Sequence, residues 1–175
     1  MGHYITYTLE LRIRAKHFKR ALEIFNNLHS DEMLEKYATR GNYEKKNKKL
    51  PVKERKWYAM VNNPKQPYST LKEAFENWWI VENDKDIYID EDTNEFVITG
   101  KYENKIAQQG FLIEQLAPVL KNTIISVTGQ DGSIFQWIVK DHKFFFVNLY
   151  EHDNDEKLSD DEELSNTMEN MKLAM

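Results

Sequence analysis

The chain has no cysteine, which excludes disulfides, a thiol nucleophile and any zinc site built on cysteine. No apolar run approaches the ~18 residues that a membrane-spanning helix needs. A charged segment followed by an apolar one, the mark of a secretory signal, is also missing at the start, so the cytoplasm is the expected compartment. The opening Met1-Gly2-His3-Tyr4-Ile5-Thr6 has the form of a myristoylation start. The bulky His3 and Tyr4 fit that chemistry poorly, and no membrane association is expected. There is no internal repeat. A net charge of −5 argues against a general affinity for nucleic acid. What is present is ordinary globular composition, 41% apolar and 30% charged, enough to build a core in a chain of 175 residues.

Residues 123–150 are the most committed stretch. Three runs rich in β-branched and aromatic residues are separated by Gly129-Gln130-Asp131-Gly132 and by Lys140-Asp141-His142-Lys143, which predicts a three-stranded antiparallel meander. Phe135, Trp137 and Val139 alternate with Ile134 and Ile138, while Phe145, Val147 and Leu149 alternate with Phe144, Phe146 and Tyr150. Both faces are therefore apolar, and both require a cover. Ile134, Phe144 and Phe146 are assigned to the second face and expected to be buried there by the tail, another element or a second copy.

The remaining elements follow from periodicity. Residues 3–14 alternate as a long strand, with Ile5, Tyr7, Leu9, Leu11 and Ile13 on one face. Phe18, Ala21, Leu22, Phe25 and Leu28 repeat at helical spacing, and Ser30 caps a second short helix that Gly41 is placed to stop. Residues 57–61 are expected to form a strand, and Thr70 with Glu73 is a capping box opening a helix. Strands are expected at 79–81, 87–89 and 96–99, the last two joined by an acidic turn. A helix over about 106–117 ends near Pro118.

Charge is segregated at two places. Residues 36–56 carry nine basic side chains against Glu44 and Glu54, a net +7, and Pro51 forbids a continuous helix there. Residues 151–163 carry eight acids against Lys157, a net −7. Beyond them Leu164, Met168, Met171 and Met175 make one narrow apolar stripe. The expected organisation is a single α+β domain over 1–150 with a basic loop at 36–56, then an acidic linker and a short amphipathic helix over 151–175.

Chemistry is thin. His3, His17, His29, His142 and His152 show no metal-ligand spacing and read as solvated or core-edge residues. Asp84, Asp86, Asp90, Asp92 and Glu95 imitate a calcium loop, but Ile89 stands where the sharp turn needs glycine. Gly129 to Gly132 precedes no helix and is a hairpin turn, not a phosphate loop. No metal, no cofactor and no catalytic residue is expected.

The opening Tyr4-Ile-Thr-Tyr-Thr-Leu-Glu10 strand, Leu116-Ala-Pro118, the Gly129-Gln-Asp-Gly132 turn and Phe135-Gln-Trp137 together resemble a group of small uncharacterised proteins of bacteria, phages and large DNA viruses. The likeness covers both ends of the domain, not the basic loop or the acidic tail, and members more often carry Trp where Phe135 stands. It implies an α+β fold and transfers no catalytic residue. The expected fold is α+β, an antiparallel sheet with helices mainly on one face, for which a ferredoxin-like arrangement is one candidate. The meander would lie at its centre or one side. The expected function is a non-enzymatic interaction protein, such as a viral or phage accessory or virion component located in the host cytoplasm or virion. It would bind a protein partner or itself through Ile134, Phe144, Phe146, Leu164, Met168 and Met171. The alternative is a nucleic-acid-binding accessory protein using Lys45, Lys46, Lys48, Lys49, Lys53, Arg55 and Lys56 beside the aromatics Tyr4, Phe144, Phe146 and Trp137. An enzyme with an unrecognised site ranks third.

Overall fold

The strand that opens the chain lies in the interior of the sheet, and its alternation shows why. In the computed structural model, which describes residues 4–37, 48–55, 57, 61–78, 84–104 and 108–150, Ile5, Tyr7, Leu9, Leu11 and Ile13 of β1 (Ile5–Arg14) are all buried. A strand with one fully apolar face has to be covered by helices on that face. The cover comes from α1 (Phe18–Leu28), α3 (Leu71–Trp78) and α4 (Gln108–Leu116), with the short α2 (Asp31–Tyr37) following α1. The caps behave as their sequence requires. Ser30 Oγ accepts the Met33 N–H at 3.3 Å, and Thr70 Oγ1 accepts the Glu73 N–H at 3.2 Å. The Glu73 carboxylate reaches back to the Ser69 N–H at 3.1 Å, one residue earlier than in a standard capping box.

The other strands are β2 (Ile87–Asp90), β3 (Glu95–Asn104), β4 (Thr123–Gly129), β5 (Ile134–Lys140) and β6 (Lys143–Tyr150). They form one antiparallel sheet in the order β2-β3-β1-β4-β5-β6. Up to β4 the described elements run β1-α1-α2-α3-β2-β3-α4-β4, and β5 and β6 extend the sheet on one side as a meander.

The core lies between sheet and helices. Phe75 of α3 stacks on Phe96 of β3, Phe18 of α1 meets the same ring edge-on, and Tyr7 packs between Tyr102 and Trp137. Burying each such side chain contributes about 1.5–3 kcal/mol, so this layer dominates the stability. Gly110 lets α4 sit close on β5, because a Cβ there would stand 2.9 Å from the Trp137 ring.

Several expectations change. Trp57 and Val61 are buried but in no regular element, and the expected strand positions 58–60 and 79–81 lie outside the described residues, as does Gly41. The larger correction concerns the meander faces. The β5–β6 turn has two residues, Asp141 and His142, both at positive φ as a type I′ turn requires. That turn sets Lys140 opposite Lys143, so Phe144 faces Val139 and Phe146 faces Trp137. Directly opposed residues share a face. Phe144 and Phe146 thus belong to the helix-covered face, and only Ile134 belongs to the other.

Candidate protein-binding edge

With this register, each face of the β4–β6 end can be named. On the helix side stand Phe135, Trp137 and Val139, joined by Phe144 and Phe146. On the open side Ile124, Ile138 and Phe145 form a row across three strands, followed by Ser126, Gln136 and Val147. Ile138 is buried between its neighbours, while Ile124 is 57% exposed and Phe145 43%. On the same face Ile134 is 39% exposed. The helix side is also incomplete. α4 packs on β5 and reaches Phe144, which is half-buried against the core. Phe146 is 59% exposed, and the Phe135 ring lies beside it at 5.2 Å. Leu149 and Tyr150 are exposed as well.

β6 therefore exposes apolar side chains on both faces. Among the described residues it has one strand neighbour, β5, which makes it an edge. Natural edges are usually short, charged or covered; this one has eight residues and a single charged side chain, Lys143 at its start.

Of the residues expected to bind protein, Ile134 and Phe146 are exposed on opposite faces of this hairpin, Phe144 is half-buried, and Leu164, Met168 and Met171 lie outside the described residues. Ile124, Phe145 and Leu149 were not singled out. The two-residue turn was the available signal, since counting outward from it gives the register. Of the basic residues, Lys48, Lys49 and Lys53 are exposed, while Arg55 is half-buried and donates from Nε to the Leu50 carbonyl at 3.2 Å. Lys45, Lys46 and Lys56 lie outside the described residues. Of the aromatics expected to stack on bases, Trp137 is buried and Phe144 half-buried, while Tyr4 and Phe146 are exposed.

The histidines fall in two places. His29 lies in a polar network linking α1 to the 61–69 segment and α3. The Trp78 indole can only donate, and it points at His29 Nε2 at 3.0 Å, so that nitrogen is unprotonated. The Tyr68 hydroxyl reaches the same nitrogen at 2.7 Å and also meets the Asn77 side-chain amide. Nδ1 then carries the proton towards Asn63 Oδ1 at 3.2 Å. Burial holds the His29 pKa below its usual value, and burial likewise pushes the Tyr68 hydroxyl up to about 12. Every heteroatom of the imidazole is used, so this histidine holds structure together.

His17 and His142 lie 6.2 Å apart, ring to ring, beside a cleft of about 320 Å³ lined also by Arg14, Lys121, Asn122 and Asp141. The His17 pKa is lowered, first by desolvation and then by Lys16, His142 and Arg14. Two acids of the calcium-like stretch are paired with cations. Asp90 accepts from Arg12 at 3.0 Å, which holds its carboxyl below the usual range, and buried Glu95 is bound by Lys121 at 3.1 Å. Among the described residues no group of three or more His, Asp or Glu is placed to hold a metal ion, and no helix is long and apolar enough to cross a membrane. Compared with known protein families, curated proteins and solved structures, the chain finds no match.

Proposed function

We propose that this protein is a non-enzymatic binding module whose β5–β6 end receives an extended segment of another polypeptide as an added strand. The observation that carries this is β6 itself, an eight-residue edge with exposed apolar side chains on both faces. Main-chain hydrogen bonds along such an edge provide affinity, and alternating side-chain contacts on the two faces provide selectivity. The test places a photo-crosslinking phenylalanine analogue at Phe146 and, as a control, at Tyr88 on the opposite edge strand. Polypeptide crosslinks at Phe146 well above those at Tyr88 are expected in native extract. Equal labelling at the two positions overturns the reading.

Nucleic-acid binding through the basic segment is the second reading, supported by the exposure of Lys48, Lys49 and Lys53. It ranks lower because Trp137 is buried and the overall charge of −5 repels phosphate. Anisotropy with a labelled single-stranded oligonucleotide tests it. Binding that weakens steeply with salt and is lost on replacing those lysines by alanine would promote it.

A further inference from the structure

We infer that the cleft beside His17 and His142 is a binding site for a small oxyanion of the phosphate class. It goes beyond the edge reading above and does not depend on it.

Three separate segments assemble the cleft. The end of β1 and the turn after it supply Arg14 and His17, the α4–β4 connection supplies Lys121 and Asn122, and the β5–β6 turn supplies Asp141 and His142. Val119 and Leu120, which also line it, belong to the core. The segments are tied to one another. Asp141 donates its N–H to Asn122 Oδ1 at 3.0 Å, and Lys121 donates its N–H to the Arg12 carbonyl at 3.0 Å. The type I′ turn fixes where His142 stands. A site held in place before its ligand arrives loses less entropy on binding. Its volume of about 320 Å³ suits a small molecule.

The lining chooses the sign of the ligand. Arg14 is exposed, and among the described residues it forms no ion pair. Its planar fork of donors matches an oxyanion. Lys121 is held by Glu95, and Lys140 and Lys143 stand opposite each other at the base of the turn. Asp141 is the one carboxylate in the lining. A metal ion finds no set of three His, Asp or Glu ligands there among the described residues.

The two imidazoles, 6.2 Å apart, oppose each other's protonated form, and desolvation, Lys16 and Arg14 act on His17 in the same direction. An oxyanion beside both rings reverses that balance, because a nearby negative charge favours the protonated imidazole. Binding therefore takes up protons and tightens as the pH falls.

The experiment titrates the full chain with sulfate, whose charge stays constant, at fixed ionic strength, following the imidazole C–H resonances. The His17 and His142 signals should shift saturably with one common Kd, while the buried His29 signal stays in place. That Kd should be at least about tenfold lower at about pH 5.5 than at about pH 8. Arg14→Gln should weaken binding about tenfold, whereas Lys72→Gln, which removes the same charge from α3 outside the cleft, should leave it unchanged. His142→Asn keeps the turn, since Asn adopts positive φ readily, and should flatten the pH dependence. Inorganic phosphate and glycerol phosphate are then compared under one condition. Tighter binding of the ester assigns a phosphate carried on a small molecule, and equal or weaker binding assigns the free ion. Shifts that grow without saturating overturn the inference. So does a Kd indifferent to pH, or an equal loss from Arg14→Gln and Lys72→Gln.

Discussion

The two edges of this sheet are built in opposite ways. β2 is four residues long and ends in a carboxylate that bonds both to Arg12 and to the backbone of its own turn. Its neighbour β3 is covered by rings from α1 and α3. β6 is twice as long, carries one terminal lysine, and has Phe144 packed on the core but Phe145, Phe146, Leu149 and Tyr150 exposed. One edge is blunted and the other is left long and apolar. At the β2 side, side chains therefore contribute to folding. At the β6 side, Phe145, Phe146, Leu149 and Tyr150 are left exposed.

The sharpest break of this contrast is a pair of truncations. Trp78→Ala removes a fully buried ring and the indole donor to His29, and should cost about 3–5 kcal/mol in urea unfolding. Phe146→Ala should cost about 1 kcal/mol or less at concentrations where the protein is monomeric, because most of its ring is already in water. Comparable losses would mean that the β6 end is folded core after all. The next effect probes how tightly α4 closes the boundary between the two regions. Gly110→Ala should destabilise by about 1–3 kcal/mol, since the new methyl meets the rigid Trp137 ring at 2.9 Å. Near-neutral unfolding data would show that α4 can lift from β5.

Association separates the edges more directly. Phe145→Lys should cut the polypeptide crosslinking from position 146 in native extract at least about tenfold, whereas Ile89→Lys in β2, also exposed, should leave it unchanged. A matching loss from both would erase the distinction. The smallest effect is acid sensitivity of the covered side. His29 titrates near 6.5 in the unfolded chain and lower when folded, so below about pH 6.5 the unfolded state binds more protons. The contribution of its neutral form is complete above that pH and is lost as pH falls towards the folded pKa. His29→Gln should remove this part of the slope in melting experiments, while Phe146→Ala should leave it intact.

Local pattern determined much of this architecture. The alternation of Ile5 to Ile13, the spacing of Phe18 to Leu28 and the turns bounding the meander each identify an element, because strand and helix periods are properties of neighbouring residues. Strand order is not such a property: nothing in the alternation of β1 says that its partners are β3 and β4 rather than β5. The face of Phe144 and Phe146 was legible from the two-residue turn but was assigned by strand pattern alone, and a shift of one residue moves every side chain across the sheet. The exposed edge was half-legible for the same reason, with Phe146 and Ile134 named and Phe145 and Ile124 not. The His29 network could not be read from spacing, since Asn26, Asn63, Tyr68, Asn77 and Trp78 come from separate segments.

The interior position of β1 also has a consequence in time. Its register sets Ile5 against Asn104 of β3 and against Gly129 of β4, so the first strand made must wait for both neighbours. At roughly 5–20 residues per second of synthesis, β3 follows β1 by on the order of 5–20 seconds. Helix α1 can form in that interval, but the apolar face of β1 remains without a sheet and available to chaperones. The β4–β5–β6 meander, by contrast, emerges last and needs only its own short turns to pair. Closure of the distant β1–β3 and β1–β4 contacts, with its large loop entropy, should therefore limit the folding rate, and any fragment ending before β4 should leave one side of β1 unpaired.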